Sequence, residues 1–167
     1  MDFSREFNPE DPIAYFLTWT TYGTWLPGDE RGWHSTESRD PEQPVRGYVI
    51  HSQYLMKETE FRLTPELRKT IHTCILDHCA FRTWTVHALN VRSNHIHIVL
   101  TAKRFRPEKI RDQLKSWCTR TLRAVGVNRN RFWTQGGSCR WINQEDDLWA
   151  AISYVRDSQD LKDPFSF

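Results

Sequence analysis

The 167-residue sequence lacks the features that mark several classes of protein. It contains no run of about 18 apolar residues, so no membrane span is expected. Its polar and acidic start lacks the basic start region and the apolar stretch of a secretory signal. These absences predict a cytoplasmic protein that does not enter membranes.

Cysteine is also sparse, and none of the four cysteines forms a C-x-x-C pair. Scattered cysteines in a chain of this length are expected to be reduced thiols rather than a disulfide framework. A zinc site made by Cys74, His78 and Cys79 is an alternative, but its spacing differs from that of structural zinc sites.

Positive charge is concentrated in one part of the chain, although the formal net charge is only +2. The segment 102–140 holds eleven basic residues, which only Glu108 and Asp112 oppose. A strongly basic segment in a near-neutral chain indicates a phosphate-rich partner. A solvated helix face is the alternative interpretation.

Hydrophobic patterning predicts strands alternating with helices. Strand-like segments occur at 13–22, 83–91, 94–101 and 138–143. Helices are expected from Thr64 to about Cys79, from Arg106 to Gly126, and from Asn143 or Gln144 onward. The order strand, helix, hairpin, helix, strand, helix predicts a single α+β domain over 1–167. Its fold class is ferredoxin-like (RRM-like), an antiparallel sheet with helices on one face and a tyrosine-bearing C-terminal helix.

A long polar loop is predicted at about 23–50, because prolines and glycines recur there. Residues 48–62 are expected to include a short extended piece. Long loops in compact domains are usually functional or disordered.

His95 and His97 lie two residues apart in the predicted strand 94–101. Side chains alternate along a strand, so both imidazoles lie on one face. Two neutral imidazoles at this spacing can hold a divalent metal ion. The alternative is a pair of hydrogen-bonded histidines without a metal.

Tyr154 lies in the predicted C-terminal helix, off the apolar stripe formed by Leu148, Ile152 and Val155. Alanines on the same side leave room for a ligand to approach its hydroxyl. The alternative is a half-buried tyrosine on an amphipathic surface helix.

The order of these motifs resembles that of the IS200-like, REP-associated tyrosine transposases, within the wider His-hydrophobe-His (HUH) endonuclease superfamily. The motifs are N-H-I-H on a strand, a basic helix, F-W-T-Q-G-G-S-C-R-W-I, and a helix with Y-V-x-x-x-Q. The stretch T-Y-G-T-W-L-P-G-D after the first strand adds to the resemblance, which extends over residues 13–160.

The resemblance implies metal-dependent nicking and strand transfer of single-stranded DNA, with Tyr154 as the nucleophile and a 5′-phosphotyrosine as the intermediate. His95 and His97 would hold Mg²⁺ or Mn²⁺ together with an oxygen ligand. Relatives often carry Asn or Gln four residues after the tyrosine, where this chain has Ser158. Gln159 is therefore preferred as the third ligand, with Asp157 and Ser158 as alternatives.

The implied partner is single-stranded or hairpin DNA with REP-like palindromes, in a bacterial, nucleoid-associated protein that acts as a monomer or a homodimer. Basic residues are expected to bind its phosphates and exposed aromatic rings to stack on its bases. The predicted DNA-contacting residues are Lys103, Arg104, Arg106, Lys109, Lys115, Arg120, Arg123, Arg140, Tyr22, Trp25 and Trp33.

Two alternative functions remain. One is a rolling-circle replication or plasmid-transfer nicking enzyme of the same superfamily. The other is a non-catalytic module that binds single-stranded nucleic acid. The binding module would not need His95, His97 and Tyr154 together, so their co-occurrence favours an enzyme.

Overall fold

The computed structural model describes residues 12–33 and 40–158. The elements within these ranges are, in order, β1 (Ala14–Thr20), α1 (Arg46–Leu55), α2 (Pro65–Phe81), β2 (Thr85–Val91), β3 (His95–Thr101), α3 (Pro107–Ala124), β4 (Ser138–Ile142) and α4 (Glu145–Ser153). A π-helical turn at Tyr154–Ser158, called here the tyrosine turn, directly continues α4. No helix in the described ranges is long and apolar enough to span a membrane.

The four strands form one antiparallel sheet in the order β2-β3-β1-β4. The two central strands are neighbours in space but far apart in sequence. This topology confirms the predicted ferredoxin-like α+β fold. The register of β1 and β3 sets Thr18 opposite His97 and Thr20 opposite His95.

One face of the sheet is covered by α2 and α3. Thr64 caps α2, because its hydroxyl accepts a hydrogen bond of 3.3 Å from the Leu67 N–H. The apolar stripes of both helices pack on the alternating residues of β1 and β3 that point away from the histidines. The fully buried residues of this layer include Leu17, Trp19, Ile71, Ile75, Ile96, Ile98, Ile110 and Leu114.

The opposite face is covered only in part. There α4 and the tyrosine turn bury Ala151, Ile152 and Val155 against Phe16 and Val99. The prediction of helices on one face thus holds for α2 and α3, while the C-terminal helix packs on the other face. The end of the sheet that bears Thr18, Thr20 and the histidines is left open.

The expectation of an extended piece at 48–62 is wrong for its first half, because α1 occupies Arg46–Leu55. Its β-branched and aromatic residues favour a strand. The edge strands of the sheet are β2 and β4, however, and α1 pairs with neither. No residue of α1 is buried. It is instead attached to the preceding loop, where Tyr48 meets Trp33 edge to face at 5.6 Å. The predicted loop at 23–50 accordingly ends where α1 begins.

Gly137 provides a test of this packing. A Cβ at Gly137 would lie 2.5 Å from the Thr18 carbonyl oxygen, and its φ is +139°. Gly137→Ala is therefore expected to lower the free energy of unfolding by about 3 kcal/mol, measured by urea denaturation. The control is Gly136→Ala, since Gly136 has φ +74° but open space around it. Its loss should be about 1 kcal/mol; equal losses would contradict the close approach of Gly137 to β1.

Candidate active site

The open end of the sheet forms the floor of a cleft of about 780 Å³. His95, His97 and Thr18 line the floor, and Tyr154 lies at the side where α4 ends. His95, His97 and the predicted nucleophile Tyr154 therefore line one cavity. They come from β3 and from the tyrosine turn, which are about sixty residues apart in the sequence.

The two histidines lie side by side on the floor, with ring centroids 4.6 Å apart. Nδ1 of His95 lies 2.7 Å from the side-chain oxygen of Asn94. An amide oxygen only accepts, so Nδ1 of His95 carries the proton. Nδ1 of His97 lies 2.8 Å from the Thr18 hydroxyl, which can accept from it in the same way. In this arrangement the proton of each ring can lie on Nδ1, the pattern common among metal-binding histidines.

His97 is buried, with 8% of its surface exposed. Burial, together with the nearby His95 and Arg92, lowers the pKa of His97 to about 3. The ring is therefore neutral at physiological pH, which is the form that binds a metal ion.

Tyr154 starts the tyrosine turn and is 43% exposed. Its ring meets that of His97 edge to face, with centroids 5.9 Å apart, and that of Phe16 at 6.0 Å. The aromatic contacts orient the phenol beside the histidines while its exposed part faces the cleft. Tyr154 thus lies beside the histidines in the same cleft.

Asn90 ties the tyrosine turn to the sheet, a role that sequence reasoning missed. It lies opposite His97 on β2, is almost fully buried, and donates a 3.1 Å hydrogen bond to the carbonyl of Val155. Arg156 adds a second tie, because its guanidinium donates to the His87 carbonyl at 3.1 Å. A π-helical turn changes the main-chain pairing of a helix and is frequent at functional sites.

The third metal ligand is not placed by the structure. Gln159 lies outside the described residues, and Ser158 ends the tyrosine turn. Asp157 is exposed. Within the described ranges, no three side chains of His, Cys, Asp or Glu are grouped so that they could hold a metal ion. The alternative zinc site at Cys74, His78 and Cys79 is therefore wrong.

Three of the predicted DNA-contacting residues line the cleft: Trp25, Trp33 and Arg140. The indole N–H groups of the two tryptophans donate to main-chain carbonyls, Trp25 to Gly32 and Trp33 to Gln43. Arg31 stacks over Trp25 at 4.3 Å. The indole N–H groups thus bond within the loop, and the rings of both tryptophans line the cleft.

The other predicted DNA-contacting residues do not line the cleft. Lys103, Arg104, Arg106 and Lys109 are exposed at or near the start of α3. Arg120 and Arg123 lie over the rings of Trp117 and Phe132, and Tyr22 accepts a hydrogen bond from the Lys57 N–H and has Arg131 over its ring. Lys115 donates to the carbonyls of Thr134 and Gly136.

The comparisons with known proteins show the family of this chain. The family model described as "Transposase IS200 like" matches residues 45–157, more than half of the chain. The chain belongs to the IS200-like transposase family. Membership of this family assigns the protein to the transposases, which act on DNA. A comparison with curated protein sequences finds no match.

One solved structure supports the fold, and a second is reported as a weaker likeness. One, described as a REP-associated tyrosine transposase bound to a REP hairpin, is 13% identical with a TM-score of 0.52, covering 97% of this chain and 73% of that one. At this identity the likeness concerns the fold. A putative transposase from Deinococcus radiodurans R1 is 14% identical with a TM-score of 0.48, covering 94% of this chain and 97% of that one.

The role of Asn90 can be tested by Asn90→Ala, which leaves the Val155 carbonyl without its donor. Loss of this bond should lower the free energy of unfolding by about 1–3 kcal/mol. It should also loosen the tyrosine turn, so that trypsin cleaves after Arg156 faster than in the native protein. Asn128→Ala, at an exposed position after α3, is the control. Equal cleavage rates in both variants would show that Asn90 does not hold the turn.

Proposed function

We propose that this protein nicks and rejoins single-stranded DNA through a 5′-phosphotyrosine at Tyr154, with Mg²⁺ or Mn²⁺ bound by His95 and His97. The observation that carries the proposal is the placement of Tyr154 with its ring 5.9 Å from that of His97, in a cleft open to solvent. Membership of a transposase family supports the same chemistry.

The two imidazoles suit a divalent ion. Each has an Nδ1 hydrogen-bonded to a neighbouring oxygen, and the low pKa of His97 keeps that ring neutral. Thr18 and Asn94 thus orient the rings, as outer residues commonly do for metal-binding histidines. We assign the third ligand to Gln159, with Ser158 as the alternative, and Asp157 is disfavoured because it does not group with the histidines. A bound ion would supply Lewis-acid polarisation of the scissile phosphate.

The chain's own residues perform the bond exchange. The Tyr154 oxygen forms a bond to phosphorus while the bond from phosphorus to the 3′ oxygen breaks. The phenol loses its proton, and the leaving 3′ oxygen takes one up. The covalent ester conserves the bond energy, so attack by another 3′-hydroxyl rejoins strands and regenerates the tyrosine. Phe16 and His97 hold the phenol for this step through their ring contacts.

The DNA partner is proposed to be a hairpin with a single-stranded flank. The relative of similar fold was solved with a REP hairpin, and this chain covers 73% of that structure. Here the cleft offers Arg140 for phosphate and Trp25 and Trp33 for unpaired bases. The four exposed cations near the start of α3 provide a further electropositive surface, suited to a stem.

Replacing the nucleophile tests the chemistry. With Mn²⁺ and a pool of single-stranded hairpin DNAs, the native protein should form an adduct that survives a denaturing gel. Tyr154→Phe should form none, because the phenol oxygen is the bonding atom, yet it should still bind DNA. The control is Tyr54→Phe, since Tyr54 is 85% exposed on α1. An adduct that persists in Tyr154→Phe refutes the assignment of the nucleophile, and DNA binding without any adduct supports the non-catalytic module instead.

The metal assignment can be tested without turnover. Titration of Mn²⁺ followed by electron paramagnetic resonance should reveal one site in the native protein. His95→Ala and His97→Ala should each weaken it by about tenfold or more, because each removes one of the placed ligands. His51→Ala, at an exposed position on α1, should bind Mn²⁺ as the native protein does. If all three variants bind alike, the histidine pair is not the metal site.

A further inference from the structure

The segment Thr134–Ser138, called here the glycine loop, forms the wall of the cleft next to β1. Its N-terminal end is fixed by Thr134. The Thr134 N–H donates to the Thr20 carbonyl at 3.0 Å, and the Thr134 hydroxyl accepts from the Thr20 hydroxyl at 2.9 Å. Thr20 is opposite His95 in the sheet, so the loop starts beside the histidine pair.

Three consecutive main-chain N–H groups of this loop, at Gln135, Gly136 and Gly137, donate to no acceptor within 12–33 and 40–158. Main-chain N–H groups in folded proteins are nearly always paired with protein, water or a ligand. Three successive unpaired donors on the wall of a cleft therefore form a surface that is suited to an anion.

Two cations on α3 determine which way the loop's peptide groups face. The Lys115 ammonium donates to the carbonyls of Thr134 at 2.8 Å and Gly136 at 2.9 Å. The Arg111 guanidinium donates to the Gly137 carbonyl at 2.9 Å. These carbonyls are thus drawn toward α3, which packs on the face of the sheet opposite the histidines.

In a trans peptide the C=O of one residue and the N–H of the next point in opposite directions. Within the described ranges the peptide bonds are all trans. Since the Thr134 and Gly136 carbonyls face α3, the N–H groups of Gln135 and Gly137 face the other way, toward the cleft. Positive φ at Gly136 and Gly137 gives the loop the left-handed turn that such concave groups of donors use.

We propose that the glycine loop binds a phosphate of single-stranded DNA in the cleft through the N–H groups of Gln135 and Gly137. Lys115 and Arg111 are positioning residues, which act through the loop's carbonyls. This inference rests on the proposed function, because it names the subsite that holds the DNA backbone beside Tyr154.

The loop's amide protons report on this subsite directly. Tyr154→Phe protein labelled with ¹⁵N, which cannot form the proposed covalent bond, is titrated with oligothymidylate. The amide protons of Gln135 and Gly137 should move downfield and exchange more slowly with solvent. Gly126 is the internal control, because it has φ +94° in open space at the end of α3. DNA binding that shifts other cleft signals but not these two overturns the phosphate loop and leaves the proposed function intact. Absence of any DNA binding overturns both.

The positioning role is tested by Lys115→Met, which removes the donor to both carbonyls. DNA affinity should fall by about tenfold or more, and the shifts of Gln135 and Gly137 should be lost. Lys109→Met removes one charge from the exposed surface of the same helix and should keep both shifts with a smaller loss of affinity. Equal losses in the two variants, with the shifts retained, would mean that Lys115 acts only through its charge. The dispersion of the remaining amide signals establishes that each variant is folded.

Discussion

The antiparallel pairing of β1 with β3 is the constraint on which the rest of the site depends. It places Thr18 opposite His97 and Thr20 opposite His95, so that each histidine has a threonine beside it on the floor of the cleft. The Thr18 hydroxyl orients His97, and Thr20 anchors the start of the glycine loop. A slip of one residue in this register would turn both histidines into the apolar layer beneath α2 and α3. The same slip would separate the loop from the histidines.

One face of the sheet must be apolar throughout, whereas the other must be apolar under α4 and polar in the cleft. Side chains that alternate along each strand meet both requirements. Leu17, Trp19, Ile96 and Ile98 supply the apolar face that α2 and α3 cover. The intervening residues divide along the strand, with Phe16 and Val99 buried under α4 and the threonines and histidines left for the cleft. The helix that would carry the nucleophile therefore needs an apolar half-face to dock on. Its packing places Tyr154 where the buried part of this face meets the part that lines the cleft.

Much of this architecture could be predicted from the sequence because its signals are local. Thr64-Pro65 begins α2 as a cap and first-turn proline, alternation marks the strands, and the spacing of His95 and His97 places both on one face. The features that were not predicted depend on contacts between residues far apart in the sequence. Asn90 could be assigned to a strand, but its bond to Val155 joins residues 65 apart in sequence. The composition of α1 favours a strand, yet the segment is a helix that pairs with no strand of the sheet.

The basic segment 102–140 shows that a count of charges does not reveal which partners those charges have in the structure. Eight of its cations, Lys115, Arg120 and Arg123 among them, were expected to contact DNA. Lys115 instead bonds to main-chain carbonyls of the glycine loop, as does Arg111 on the same helix. Arg120 and Arg123 lie over the rings of Trp117 and Phe132. Their charge still adds to the field around the cleft, since Coulomb interactions extend beyond contact. A cation that bonds a carbonyl from behind also leaves the opposite N–H of that peptide directed at the cleft. A cation can therefore bond to the protein's own carbonyls and still favour an anion in the cleft. The carbonyl of the peptide group accepts from the cation on one side of the loop, and its N–H can donate to the anion on the other side.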